Sequence, residues 1–351
     1  MDARLRTVLD HGQFIMGPEI AELEIALAKY VGVEHYITVA SGTVSLEIAL
    51  RALGVGSGDE VITVPFTWIS TAEVIGLVGA RPVFVDIRPE TYTINEDAIE
   101  SAITPRTKAI LPVSLFGQMP DYDRINATAA KHHLAVIEEE AQSFGATRYE
   151  RRSCGVTLVG STSFFPAKPL GCFGDGGDLF TNDDALAETM RAIRTHGGLR
   201  RHHHPHLGMN GRFDTLQAAV LLAKLPQFHW EVEARDRIGA RYSQLLSSTS
   251  DLRSSITTPV VMPGNTHVYA QYTICVPNRD AVAEKLKAQG IPTAVYYPKC
   301  LHEQPVFAQC GQWGEFPEAE RASREVLSLP MHPFLTEADQ DKVVAALKAA
   351  L

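Results

Sequence analysis

Apolar positions along this chain fall into two alternating patterns. Short apolar runs at Tyr36–Val39, Glu60–Val64, Arg81–Asp86, Lys108–Val113 and Leu134–Glu138 read as buried strands. Ser163-Phe164-Phe165 reads as a further short buried strand. Between these runs the apolar residues take helical spacing, as in Pro18–Tyr30, where Ile20, Leu23, Leu27 and Tyr30 share one side. Further helices are predicted from Ser41-Gly42-Thr43 to about Leu53, opening over Thr67–Ala72, and over Asn95–Ile103, Asp121–His132 and Asp183–Thr195. Strands alternating with helices predict an α/β fold with a mostly parallel sheet flanked by helices. Two helices, Thr215–Leu225 and Phe228–Leu246, come next. Strands near Gln271–Val276 and Ala294–Tyr297, with helices near Ala281–Gln289 and Glu337–Ala350, predict a small C-terminal α+β domain. The boundary is expected at 226/227, giving a large domain over 1–226 and a small one over 227–351.

A length of 351 residues suits two domains with a sizeable core. A net charge of −9 argues against a nucleic-acid partner, so any anionic ligand must be held by local basic groups. The five cysteines, Cys154, Cys172, Cys275, Cys300 and Cys310, are odd in number and form no CxxC pair, which fits a reducing compartment. The first residues lack the apolar stretch of a signal peptide, and no apolar run approaches membrane-spanning length. A cytoplasmic protein without a membrane partner is expected.

Ligands of parallel sheets gather at the carboxyl ends of strands. Ser41, Trp68, Glu139 and Lys168 all lie at or just past such ends. Lys168 stands between an apolar run and the glycines of Gly171-Cys172-Phe173-Gly174-Asp175-Gly176-Gly177, with Pro166 and Pro169 preventing helix on either side. A lysine amine forced toward an apolar pocket has its pKa lowered, which suits bonding to a carbonyl carbon. The turn Ser41-Gly42-Thr43 between a strand and a helix points N–H groups where a phosphate could sit. Arg200-Arg201-His202-His203-His204-Pro205-His206 is read as a basic rim for an anionic substrate. Consecutive histidines lack the spacing of helical metal ligands, so no metal site is expected.

Taken with Glu138-Glu139-Glu140-Ala141-Gln142-Ser143-Phe144-Gly145-Ala146, these motifs resemble the DegT/DnrJ/StrS-type nucleotide-sugar aminotransferases. The resemblance runs from His11–Glu19 to Leu327–Met331. It takes in Gly58-Asp59-Glu60-Val61, Gly208-Met209-Asn210-Gly211-Arg212, Gln271–Ile274 and Gly290–Thr293. It implies the pyridoxal 5'-phosphate-dependent transferase fold type I, with that cofactor carried on Lys168. It assigns Thr43 and Ser163, with N–H groups around Gly42, to the cofactor phosphate. By the same resemblance, Trp68 is expected to stack on the pyridine ring and Gln142 to contact its hydroxyl. Asn210 reaches the phosphate from a partner subunit, so the resemblance implies a homodimer with shared sites. The family usually places Asp where this chain has Glu139, opposite the pyridine nitrogen. The chain also begins without the segment that usually precedes the His11-Gly12 turn.

The reaction implied is transfer of an amino group, from an amino acid such as glutamate, to a nucleotide-linked keto sugar in amino-sugar and polysaccharide biosynthesis. The Lys168 loop and Tyr296-Tyr297-Pro298 look similar to the subgroup acting on a UDP-linked 3-keto N-acetyl-hexuronic acid. Arg200, Arg201, Arg212 and Tyr297 are the candidates for binding that substrate. Relatives that dehydrate or deoxygenate sugars replace the lysine with histidine, and others are linked to regulation. Lys168 argues against the first, and the lack of an attached DNA-binding motif disfavours the second.

Overall fold

The structure, a computed structural model, describes residues 1–248, 256–307 and 313–351. Cys310 lies outside the described residues. The large sheet is built from strands β1 (His35–Val39), β2 (Glu60–Thr63), β3 (Arg81–Phe84), β4 (Thr107–Ile110), β5 (Ala135–Glu139), β8 (Val159–Ser163) and β9 (Gly177–Thr181), in the order β1-β9-β8-β5-β4-β2-β3. A short hairpin, β6 (Thr147–Arg148) with β7 (Arg151–Arg152), precedes β8. From β3 to β8 every pairing is parallel. β9 then runs antiparallel to both β8 and β1. The sheet is therefore mostly parallel, as expected.

Polar helix caps set the register of the crossovers. Ser41 accepts a hydrogen bond from Val44 N–H at the start of α3 (Gly42–Ala52), and Asn95 caps α5 (Glu96–Ala102). Asp121 caps α6 (Tyr122–Lys131), and Asp183 caps α7 (Asp184–Arg194). With α4 (Ser70–Leu77), α3 and α7 bury Leu46, Ile48, Val74, Ile75, Met190 and Ile193 with Ile37, Ile62, Ile110 and Ile137 of the sheet. A second cluster joins Tyr36 and Phe180 of the sheet to Leu23 and Leu27 of α2 (Pro18–Val31). Helix α1 (Asp2–His11) precedes α2.

Three expectations are corrected. The strand assigned to Ser163-Phe164-Phe165 is β8, Val159–Ser163, and Phe165 is half exposed. Its sequence, Val-Gly-Ser-Thr-Ser, carries too little apolar signal to announce a strand. Ala294–Tyr297 forms no strand and makes only a bridge from Ala294 to Ser328. The partner of β10 (Tyr272–Cys275) is instead β11 (Val326–Leu329). Finally, the two helices expected around Pro226 are one, α8 (Thr215–Ser248). A proline inside a helix costs roughly 3 kcal/mol. Here burial of Leu221 and Leu222 before it, and of Phe228, Ile238, Tyr242 and Leu246 after it, offsets that cost.

The C-terminal part of α8 packs on β10, β11, α9 (Arg279–Ala288) and α11 (Glu337–Ala350) through Ile274, Val282, Leu286, Leu327, Val343 and Leu347. α10 (Pro317–Glu325) leads into β11. Position 226/227 thus falls inside α8.

Candidate active site

The carboxyl ends of β1, β2, β5 and β8 open on one region. β5 ends in Glu139, whose carbonyl accepts from Ser114 N–H at 3.0 Å. One oxygen of its carboxylate accepts from Ala141 N–H at 2.9 Å. The other has no hydrogen-bond partner among the described residues. Burial pushes the Glu139 carboxyl up, and the Lys168 charge pulls it back. The Lys168 amine responds in the opposite sense. Burial lowers its pKa, and Glu139 opposes the shift. Lys168 is half-buried on a turn closed by its own N–H to Phe165 carbonyl at 2.8 Å, and its Nζ donates to no described residue. A weakly basic, unpaired amine beside a carboxylate can be a nucleophile and then a proton carrier.

Gln142 fixes the next side of the region. Its Oε1 accepts from Phe116 N–H at 2.9 Å, and its Nε2 donates to the Tyr297 hydroxyl at 3.1 Å. The Tyr297 ring lies 6.0 Å from Trp68 and 6.2 Å from Phe66, centre to centre. Burial and the nearby Glu139 charge push the Tyr297 hydroxyl well above its ordinary pKa, so it stays protonated. Trp68 leaves 58% of its surface exposed, an open aromatic face at the mouth.

The start of α3 forms the opposite side. A Cβ on Gly42 would stand 2.7 Å from Ser163 Cβ, and one on Gly177 would stand 2.3 Å from the Ser41 carbonyl carbon. Only glycine lets this helix start sit so close to β8 and β9. Thr43 Oγ1 lies 2.9 Å from Ser70 Oγ. The free N–H groups of α3, two hydroxyls and Ser163 make a cradle for an anion. Ser70 escaped sequence reasoning, although a serine two residues past Trp68 at a helix start is the kind of signal that marks such a group.

Lys168, Glu139, Gln142, Tyr297 and Trp68 are linked by charge, hydrogen bonds and ring contact. Gly42, Thr43 and Ser163 are linked by packing. Asn210, Arg212, Arg200 and Arg201 are not joined to either group by any hydrogen bond or ion pair among the described residues. Asn210 is exposed and accepts from Arg212 Nε at 2.9 Å. Gly211 between them holds Ala40 N–H through its carbonyl at 3.0 Å, so this stretch lies beside the end of β1. Arg200 and Arg201 are exposed on a loop tied to the end of α7 by His204 Nδ1 on the His196 carbonyl, 2.8 Å away. No group of three His, Cys, Asp or Glu among the described residues is placed to hold a metal. No described helix is long and apolar enough to cross a membrane.

The residues present fit pyridoxal 5'-phosphate. The unpaired Lys168 amine suits its aldehyde, the open Glu139 oxygen suits a protonated ring nitrogen, and the cradle at α3 suits its phosphate.

Comparison with known proteins agrees with this geometry. Residues 1–348 match the DegT/DnrJ/EryC1/StrS aminotransferase family. The chain is 51% identical to a Pseudomonas aeruginosa UDP-2-acetamido-2-deoxy-3-oxo-D-glucuronate aminotransferase, over 99% of this chain and 95% of that one. It is 47% identical to a pleiotropic regulatory protein of Geobacillus stearothermophilus, over 97% and 91%. Among solved structures, NtdA of Bacillus subtilis with bound cofactor PMP superposes with a TM-score of 0.92. Identity to it is 30%, over 99% of this chain and 80% of that one.

Proposed function

Since the chain belongs to the DegT/DnrJ/EryC1/StrS aminotransferase family, a family of pyridoxal 5'-phosphate-dependent sugar aminotransferases of fold type I, we propose a specific division of labour among its residues. The observation that carries it is the unpaired Lys168 amine, lowered by burial, facing Glu139. When bound, the cofactor supplies the electron sink that lets an amino group pass between two carbonyl carbons. Lys168 would hold the cofactor, and its Nζ, once free, would carry the proton of the substrate carbon. Glu139 would pair with the protonated pyridine nitrogen, where the family usually has Asp, with one more methylene of reach. Gln142 would orient the ring hydroxyl, and Trp68 would cover one ring face. Thr43, Ser163 and N–H groups around Gly42 bind the phosphate.

Asn210 serves the phosphate of a second subunit, which accounts for its exposure. The protein is then a homodimer with its sites at the interface. Arg200, Arg201 and Arg212 would bind the diphosphate or carboxylate of the sugar substrate there, with Tyr297 at the ring. The substrate class is a UDP-linked 3-keto hexuronate, by similarity to the Pseudomonas protein. Glutamate is the donor, and the product feeds amino-sugar and surface-polysaccharide synthesis in the cytoplasm. The Geobacillus relative's name raises a regulatory reading. A purely regulatory fold would not need the Lys168 and Glu139 pairing.

The test is direct. The purified protein should absorb visible light, lose that band with glutamate, and after borohydride carry the cofactor on the peptide containing Lys168. Label on Lys224 or Lys299, or a band indifferent to amino donors, would overturn the assignment.

A further inference from the structure

Behind Glu139, on the reverse face of β5, lies a group that the reaction as described leaves unused. Glu138 and Glu140 are both fully buried there. Glu138 is satisfied by main chain, accepting N–H groups of Cys154, Val156 and Thr157 at 3.0, 2.8 and 2.8 Å. Glu140 gathers hydroxyls instead. Ser114 and Tyr122 donate to its Oε1 at 2.8 and 2.7 Å, and Ser143 donates to its Oε2. A buried carboxyl group is tolerated only with its bonds complete, so these three donors are a built environment.

The position of the three donors gives this environment its consequence. Ser114 N–H donates to the Glu139 carbonyl at 3.0 Å. Two residues on, Phe116 N–H holds Gln142 Oε1 at 2.9 Å. Ser143 adjoins Gln142, and the N–H groups of Ser143 and Phe144 both reach the Glu140 carbonyl at 3.1 Å. Glu140 therefore pins, from one buried point, the segment that fixes Glu139 main chain and the turn that fixes Gln142.

We propose that Glu140 is a positioning residue for the aminotransferase reaction: by binding Ser114, Tyr122 and Ser143 it locks the end of β5 and so aims the Glu139 carboxylate and the Gln142 amide at the cofactor ring. The proposal rests on the reading of Glu139 as the partner of the pyridine nitrogen. Among charged and titratable groups, Glu140 faces Glu138 of β5, Tyr122 of α6 and Cys154 beyond β7.

The experiment compares holoenzymes of Glu140→Ala, Glu140→Gln and the pair Tyr122→Phe with Ser114→Ala, using Glu139→Gln as reference. Two quantities are read: the pH midpoint of the bound cofactor's visible band, and kcat against KM for glutamate. Glu140→Ala should move the midpoint in the direction that Glu139→Gln moves it and lower kcat about 10- to 100-fold, with little change in KM. Glu140→Gln keeps an acceptor for Ser114 and Tyr122 and should restore both quantities nearly to the parent. Tyr122→Phe with Ser114→Ala removes two donors and almost no bulk. It should shift the midpoint in the same direction, and it reports even if Glu140→Ala fails to fold. A parental midpoint in this double variant, or a folded Glu140→Ala that is less heat-stable but spectrally unchanged, would overturn the proposal. A midpoint unmoved by Glu139→Gln would remove the Glu139 reading itself, and the role of Glu140 with it.

Discussion

Two carboxyl groups buried side by side carry a cost that pH exposes. Desolvation pushes Glu138 up to about 7 from its ordinary 4.5, and desolvation together with the Glu138 charge raises Glu140 well above its own. The folded chain therefore binds protons that the unfolded chain has already released in this range. The stability this pair contributes should be full at and below pH 4.5 and be lost as pH rises to 7 and beyond, by up to about 1.4 kcal/mol per pH unit for each proton involved. Thermal melts of the apoprotein across that range check it, and Glu138→Gln should flatten the slope. A stability that rises over the same range in the parent but not in the variant would contradict the account. Strand alternation places Glu138 and Glu140 opposite Glu139, and the structure agrees. What alternation does not reveal is the hydroxyl set around Glu140. Ser114 and Tyr122 come from segments far away in sequence, with no pattern of their own.

Among elements, α3 shows how a loose motif becomes a site. Ser-Gly-Thr after a strand is common, yet here Gly42 lies flush on Ser163, with no room for a methyl group. Gly42→Ala should overpack this contact at a cost of about 1–3 kcal/mol and push α3 off β8. The expected result is a protein that folds but loses its cofactor on dialysis far faster than the parent. Retention equal to the parent would show that the phosphate is held elsewhere. The strands and helices of the first 140 or so residues are legible from apolar rhythm because the strands there are rich in apolar residues, as strands of a parallel sheet covered on both faces are. β8 is not, since its serines and threonine face α3 and Glu140 rather than apolar neighbours. α8 is not either, since a proline reads as a stop unless the burial around it is known.

The molecule as a whole holds its candidate residues in two sets that no hydrogen bond or ion pair joins among the described residues. Lys168, Glu139, Gln142, Trp68 and Tyr297 form one, and Asn210, Arg200, Arg201 and Arg212 stand apart. If the sets meet across a dimer, mixing inactive Lys168→Ala with inactive Asn210→Ala protein should recover activity as subunits exchange. No recovery in a sample shown by mass to contain mixed dimers would refute shared sites. One further property follows from β9. Because β9 runs back along β8, with Gly177 opposite Ser163, the segment that carries Lys168 is closed at its base by two neighbouring strands. The chain entropy lost in closing such a loop grows only as the logarithm of its length, and here it is lost once, when the sheet forms. An arriving cofactor therefore meets an amine already in place, and its binding energy goes into contacts rather than into ordering the chain.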